Sequence, residues 1–108
     1  MVAKKNRLKK GEIEYTMKKG DKSNSRFFIV KHLKSTENFP KFCVIISKKI
    51  NKSAVKRNKL KRQICEILRQ TENSELKSSK NIILIPKKEI TQSNFQEIEA
   101  DLGKLTLN

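Results

Sequence analysis

Three apolar runs, none longer than five residues, set the terms for any fold this chain can adopt. Phe27-Phe28-Ile29-Val30, Phe42-Cys43-Val44-Ile45-Ile46 and Ile82-Ile83-Leu84-Ile85 stand out from a lysine-rich background. Each has the length of a strand core and falls far short of the ~20 residues a bilayer span needs. An unfolded basic tail would lack them. A chain of 108 residues has room for one modest core. Residues 1–108 are therefore expected to form a single domain, with residues 1–5 disordered.

The segments between the runs supply the other elements. Lys9 to Lys19 reads as a short helix, with Ile13 and Met17 at i, i+4 and Gly20 placed to end it. Arg26 to Lys34 and Lys41 to Lys49 read as strands, and the turn-like Ser35 to Pro40 between them predicts a hairpin. Ala54 to Gln70 is the main helix, its core stripe formed by Leu60, Ile64, Ile67 and Leu68. Thr71 to Lys80 is polar and reads as a surface loop. Ile82 to Ile85 is a buried strand stopped by Pro86. Ser93 can cap a last helix, with Gln96 as its capping-box partner and Phe95, Ile98, Leu102 and Leu105 facing inward. The order is helix, two or three strands, helix, strand, helix, which is a mixed α+β sandwich of helices against one sheet.

Charge is distributed unevenly. Residues 1–62 carry 20 basic and 4 acidic side chains, whereas residues 63–108 carry 6 and 7. Almost the whole net charge of +15 thus sits on one part of a small domain, as a face for a polyanion would require. The densest stretch runs from Lys48 to Arg62, with eight basic side chains and no acid. It spans a strand end, a turn and the first turns of the main helix. Cations at a helix N-terminus are disfavoured by about 0.3–1 kcal/mol each. Phosphate lying against them would reverse that cost and satisfy the free N–H groups as well. At about 100° per residue, Asn58, Arg62 and Arg69 share one narrow stripe, while Arg57 and Lys61 flank the core stripe. Guanidinium groups fork onto phosphate, and Asn58 can meet a base edge or a sugar hydroxyl.

Aromatic side chains accompany the basic part. Tyr15, Phe27, Phe28 and Phe42 could form a stacking platform for unpaired bases, or could be core. For Phe27 and Phe28 one of the two must be core, since strand neighbours face opposite sides. Other candidates are weak. Cys43 and Cys65 suit buried free thiols in a reduced, intracellular protein better than a disulfide or a zinc site. His32 is the sole histidine and is expected to have no Cys or Ser partner, so a Ser/His or Cys/His device is not supported. Glu97, Glu99 and Asp101 read as a solvated helix face. The charged N-terminus carries no secretory signal, and no catalytic or metal-binding set is expected in the chain.

These residues resemble the protein subunit family of bacterial ribonuclease P. The resemblance rests on Ser47-Lys48-Lys49 followed by Ala54-Val55-Lys56-Arg57-Asn58-Lys59-Leu60-Lys61-Arg62, a basic strand end leading into an Arg-Asn helix. Asn6-Arg7-Leu8-Lys9-Lys10, Arg26 with Phe28, Asn81 to Lys87 and the last helix also fit, so nearly the whole chain is covered. The resemblance implies an α-β-β-β-α-β-α sandwich with a left-handed βαβ crossover, an exception to the usual hand. It implies a cytoplasmic RNA-binding subunit of an endonuclease whose catalyst is a large RNA using its own bound magnesium to cut the 5′ leader from precursor tRNA. The protein would hold no cofactor and need no membrane or protein partner. Lys48, Lys49, Lys52, Lys56, Arg57, Asn58, Lys59, Lys61, Arg62 and Arg69 would contact the catalytic RNA. Ile13, Tyr15, Met17, Arg26 and Phe28 would line a cleft for the single-stranded leader.

Three departures from the family pattern stand out. Lys59 keeps charge but lacks the guanidinium fork, Ile13 and Met17 stand where members often carry aromatics, and Cys65 stands where many have an arginine. Arg69, one turn on, is the residue available in its place. Two other readings remain: a ribosomal or other structural RNA-binding protein, and a protein-only nuclease. The latter needs clustered acids for magnesium, and residues 1–62 offer only Glu12, Glu14, Asp21 and Glu37.

Overall fold

A polar strand completes the sheet. In the computed structural model, which describes residues 4–107, helix α1 (Lys10–Lys19) leads directly into β1 (Asp21–Asn24), whose sequence is Asp-Lys-Ser-Asn. β1 pairs antiparallel with β2 (Phe28–Lys34), and this is the hairpin of the fold. The hairpin expected between residues 26–34 and 41–49 does not form. β4 (Lys80–Pro86) lies between β2 and β3 (Lys41–Val44), giving the order β1-β2-β4-β3. It runs antiparallel to β2 and parallel to β3. The physical reason is burial: Ile82, Ile83 and Leu84 are fully buried, and only a central strand covers both faces of such a run. Helix α2 (Ala54–Gln70) makes the crossover from β3 to β4, so the βαβ unit implied by the family resemblance is present.

Helices cover both faces of the sheet. Cross-strand register places Phe28, Val30, Ile82, Leu84, Phe42 and Val44 on one side. There they pack with Ile64, Ile67 and Leu68 of α2 and with Ile98 and Leu102 of α3 (Phe95–Gly103). Ile83 faces the other side, where α1 lies across β2 and β4. Phe27 and Phe28 are both buried, at 2% and 0% exposure, because Phe27 precedes the strand and tucks beneath the edge next to α3.

The remaining boundaries are locally determined. Lys4–Asn6 forms a short 3-10 turn, while residues 1–3 fall outside the described residues. Arg7 forms a parallel bridge with Phe42, and the N–H of Leu8 donates to the Phe42 carbonyl at 3.1 Å. The polar segment after α2 is less simple than a loop, since Ser74–Lys77 makes a 3-10 turn that buries Leu76. The last helix is capped by Asn94, not Ser93: Asn94 Oδ1 accepts the Glu97 N–H, and Glu97 returns the contact to the Asn94 N–H.

Candidate nucleic-acid interface

Side chains of the loop before α2 hold its first turn in place. Ser53 is the N-cap and accepts the Lys56 N–H at 3.3 Å, and Asn51 Oδ1 accepts the Ser53 N–H at 2.9 Å. No acid occupies the first turn. Lys48, Lys49, Lys52, Lys56, Asn58, Lys59, Lys61 and Arg62 are all exposed, so these eight predicted contacts lie on the surface together. Arg57 differs. Its Nη1 donates to the carbonyls of Asn51 at 2.8 Å and Lys52 at 3.0 Å, folding the guanidinium back to close the loop. Arg69 is likewise engaged: it grips both carboxylate oxygens of Glu66, at 3.2 and 2.6 Å. That hydrogen-bonded pairing lowers the pKa of Glu66 and raises that of Arg69.

The basic face continues toward α1. A cavity of about 490 Å³ is lined by Val55, Asn58, Lys61, Arg62 and Cys65. An adjoining cavity of about 280 Å³ shares Lys61 and Cys65 and extends to Arg7, Leu8, Ile13, Phe42, Cys43 and Val44. One groove therefore runs from Asn58 and Arg62 on α2, past Lys61, to Ile13 on α1. Its lining mixes apolar side chains with the cations Arg7, Lys61 and Arg62, which suits a single strand of nucleic acid.

The expected leader cleft is only partly assembled as drawn from sequence. Thr16 is buried against the sheet. Taking it as reference, Ile13 and Met17 lie on one flank of α1, and Tyr15 sits about 160° away from each. Tyr15, 59% exposed, thus faces away from the side lined by Ile13 and Met17. Phe28 is opposite Pro86 on the α2–α3 side and wholly buried, so its ring stacks on no base. Arg26 stands at the α3 end, its guanidinium 4.6 Å from the Phe27 ring centroid and 3.4 Å from Glu97. The β2 side chains that do share the α1 face are Ile29, Lys31 and Leu33, all half-buried. Strand alternation from Phe28 was the signal that could have found them.

An ion pair fixes the other wall. Glu12 accepts the Lys9 N–H at 2.9 Å, capping α1, and accepts Lys41 Nζ of β3 at 2.8 Å. The Lys41 hydrogen bond, then the backbone one, hold the Glu12 carboxyl below its ordinary pKa. Lys41 is only 9% exposed, so this contact ties the start of α1 to the sheet edge. Among the described residues no group of three or more His, Cys, Asp and Glu is placed to hold a metal ion, and no helix is long and apolar enough to cross a membrane.

Known proteins resemble this chain in sequence and fold. The family model for ribonuclease P matches residues 2–108. The ribonuclease P protein component of Rickettsia prowazekii is 37% identical, the match covering 89% of this chain and 87% of that one. The corresponding component of Pseudanabaena is 33% identical over 97% of this chain and 91% of its own. Among solved structures, the RNase P protein of Staphylococcus aureus superposes with a TM-score of 0.75 at 27% identity, covering 96% of this chain and 88% of that one. With its mixed four-stranded sheet, acid-free α2 N-terminus and matching sequence along nearly its whole length, the chain belongs to the ribonuclease P protein family.

Proposed function

We propose that this chain acts as the protein subunit of ribonuclease P, binding its catalytic RNA and the 5′ leader of precursor tRNA. The observation that carries the reading is the groove that joins the exposed cations of α2 to the flank of α1 through Lys61. Lys48, Lys49, Lys52, Lys56, Asn58, Lys59, Lys61 and Arg62 take the folded RNA by its phosphates. The α1 flank with Ile13, Met17, Ile29 and Lys31 takes the single-stranded leader. Aliphatic side chains and one ammonium group offer no ring for stacking, so leader contact here rests on apolar packing and charge and is tolerant of base identity. Hydrolysis is assigned to the RNA and its magnesium ions. The protein contributes binding energy and the selection of precursor over mature tRNA, in the cytoplasm and without a further protein partner.

Reconstitution tests this. Combined with a bacterial ribonuclease P RNA at low magnesium, the chain is expected to raise the rate of 5′ cleavage of precursor tRNA above that of RNA alone. Binding to ribosomal RNA with no gain in cleavage would point instead to a scaffolding role. Cleavage by the purified chain without RNA would assign the chemistry to the protein.

A further inference from the structure

Among the described residues, Tyr15 is the one exposed aromatic side chain, with 59% of its surface open, whereas Phe27, Phe28 and Phe42 are buried. Helix α1 stands between it and the leader cleft. Glu12 reaches Lys41 at one end of the helix, and Gly20 lies against the His32 carbonyl at the other. α1 thus crosses the sheet along the row Lys41, Asn81 and Leu33. Ile13 shares a cavity with Cys43 and Val44 on one flank, and Tyr15 occupies the opposite flank. We propose that Tyr15, Lys18 and Lys19 form a second contact for unpaired RNA, with one base stacked on the Tyr15 ring.

The local sequence leaves this ring bare. Long side chains of an α-helix lean toward its N-terminus, over the residue four back. For Tyr15 that residue is Gly11, where an added Cβ would meet nothing within 4 Å. No side chain at that position competes with a base for the ring. Lys18 and Lys19 follow at i+3 and i+4, about 60° and 40° around the helix, and both are exposed. Neither is ion-paired among the described residues. Of the nearby acids, Glu12 is held by Lys41. Glu14, one turn before Lys18, lies about 100° from Tyr15 and offsets part of one charge. A bare ring with two ammonium groups beside it fits a flat apolar group that carries anions, as an unpaired nucleotide does. A duplex does not fit, because its base faces are already stacked.

This contact depends on the RNA-binding role proposed above, and one titration separates the two. Tyr15 is the sole tyrosine of a chain without tryptophan, so intrinsic emission reports on it alone. The full chain is titrated with oligouridine, binding being followed by anisotropy of a labelled strand and stacking by tyrosine emission corrected for absorption. Saturable quenching is expected with oligouridine and not with inorganic polyphosphate, which carries charge but no bases. Lys18→Gln and Lys19→Gln should each lower the log–log salt slope of the half-quenching concentration by about 0.7. Oligouridine that binds without quenching would overturn this contact alone, as would equal quenching by polyphosphate or an unchanged slope in both lysine variants. No binding of oligouridine would overturn the RNA-binding role and this contact together.

Discussion

The Asp101 carboxylate of α3 accepts the Ser25 hydroxyl at 2.7 Å and, from the same turn, the backbone N–H groups of Arg26 and Phe27, each at 3.0 Å. One side chain thus satisfies three donors of the β1–β2 turn and locks α3 to the hairpin. Asp101→Ala strands those donors at a partly buried site. Hydrogen bonds to charged acceptors contribute about 1.5–3 kcal/mol each, non-additively, so a loss of about 2–4 kcal/mol is expected. Urea denaturation should show a lower midpoint at unchanged slope, with Ser25→Ala costing about 1 kcal/mol. A midpoint within experimental error of wild type would refute the staple.

Gly20 joins α1 to β1 with ordinary negative φ, so conformational freedom is not its reason. A Cβ there would lie 2.5 Å from the Thr16 carbonyl oxygen and 2.9 Å from that of His32, both backbone atoms. Gly20→Ala forces α1 away from the sheet at a cost of about 1–3 kcal/mol. Leader affinity should fall with it, since the proposed function gives α1 one wall of the leader cleft. A Gly20→Ala chain that melts at the wild-type temperature would show that the helix moves freely.

His32 is 2% exposed, and its Nε2 lies 3.0 Å from the Ser23 hydroxyl. Burial is the main reason its pKa is lowered; Lys80 adds to the shift, while Asp21 and Glu75 oppose it. The unfolded chain takes up this proton near the ordinary value of about 6.5 and the folded chain only at lower pH. Stability is then complete above that value and is lost as pH falls, by up to about 1.4 kcal/mol per pH unit. Thermal melts at pH 7.5 and 5.5 should show the loss, and His32→Asn should flatten it. An unchanged difference in His32→Asn would place the acid sensitivity elsewhere.

Arg62 and Arg57 belong to the same motif but should behave differently. Arg62 is exposed in the groove, and under the proposed function it holds a phosphate, so Arg62→Ala should lower the log–log salt slope of RNA binding by about 0.7–0.9. Arg57 spends its Nη1 on the loop carbonyls. Its alanine variant should speed amide exchange over residues 50–53 and change the slope less. Equal slope changes for the two variants would mean that Arg57 leaves the loop to grip RNA.

Helix α2, the cationic segment before it and the apolar cores of β2, β3 and β4 could all be read from the chain, because each depends on neighbours within a turn or a few residues. Helical periodicity located α2 at Ala54–Gln70, the bounds observed. The family motif, carried on that same local segment, was visible for the same reason. Strand partners are chosen at long range, by which run can be buried on both faces, so the insertion of β4 between β2 and β3 emerged only in three dimensions. β1 has no apolar pattern and exists because Gly20 delivers the chain alongside β2.

The site divides along the same line. Sequence established the exposed cations of α2. Tertiary structure decided that Phe28 turns inward, that Tyr15 leaves the cleft and that Asp101 is a staple and not a solvated acid. It also set Ile29, Lys31 and Leu33 on the α1 face of the sheet. The physical reason is that composition and periodicity specify what a segment can bury, whereas side-chain partners are set by which surfaces meet once those segments pack.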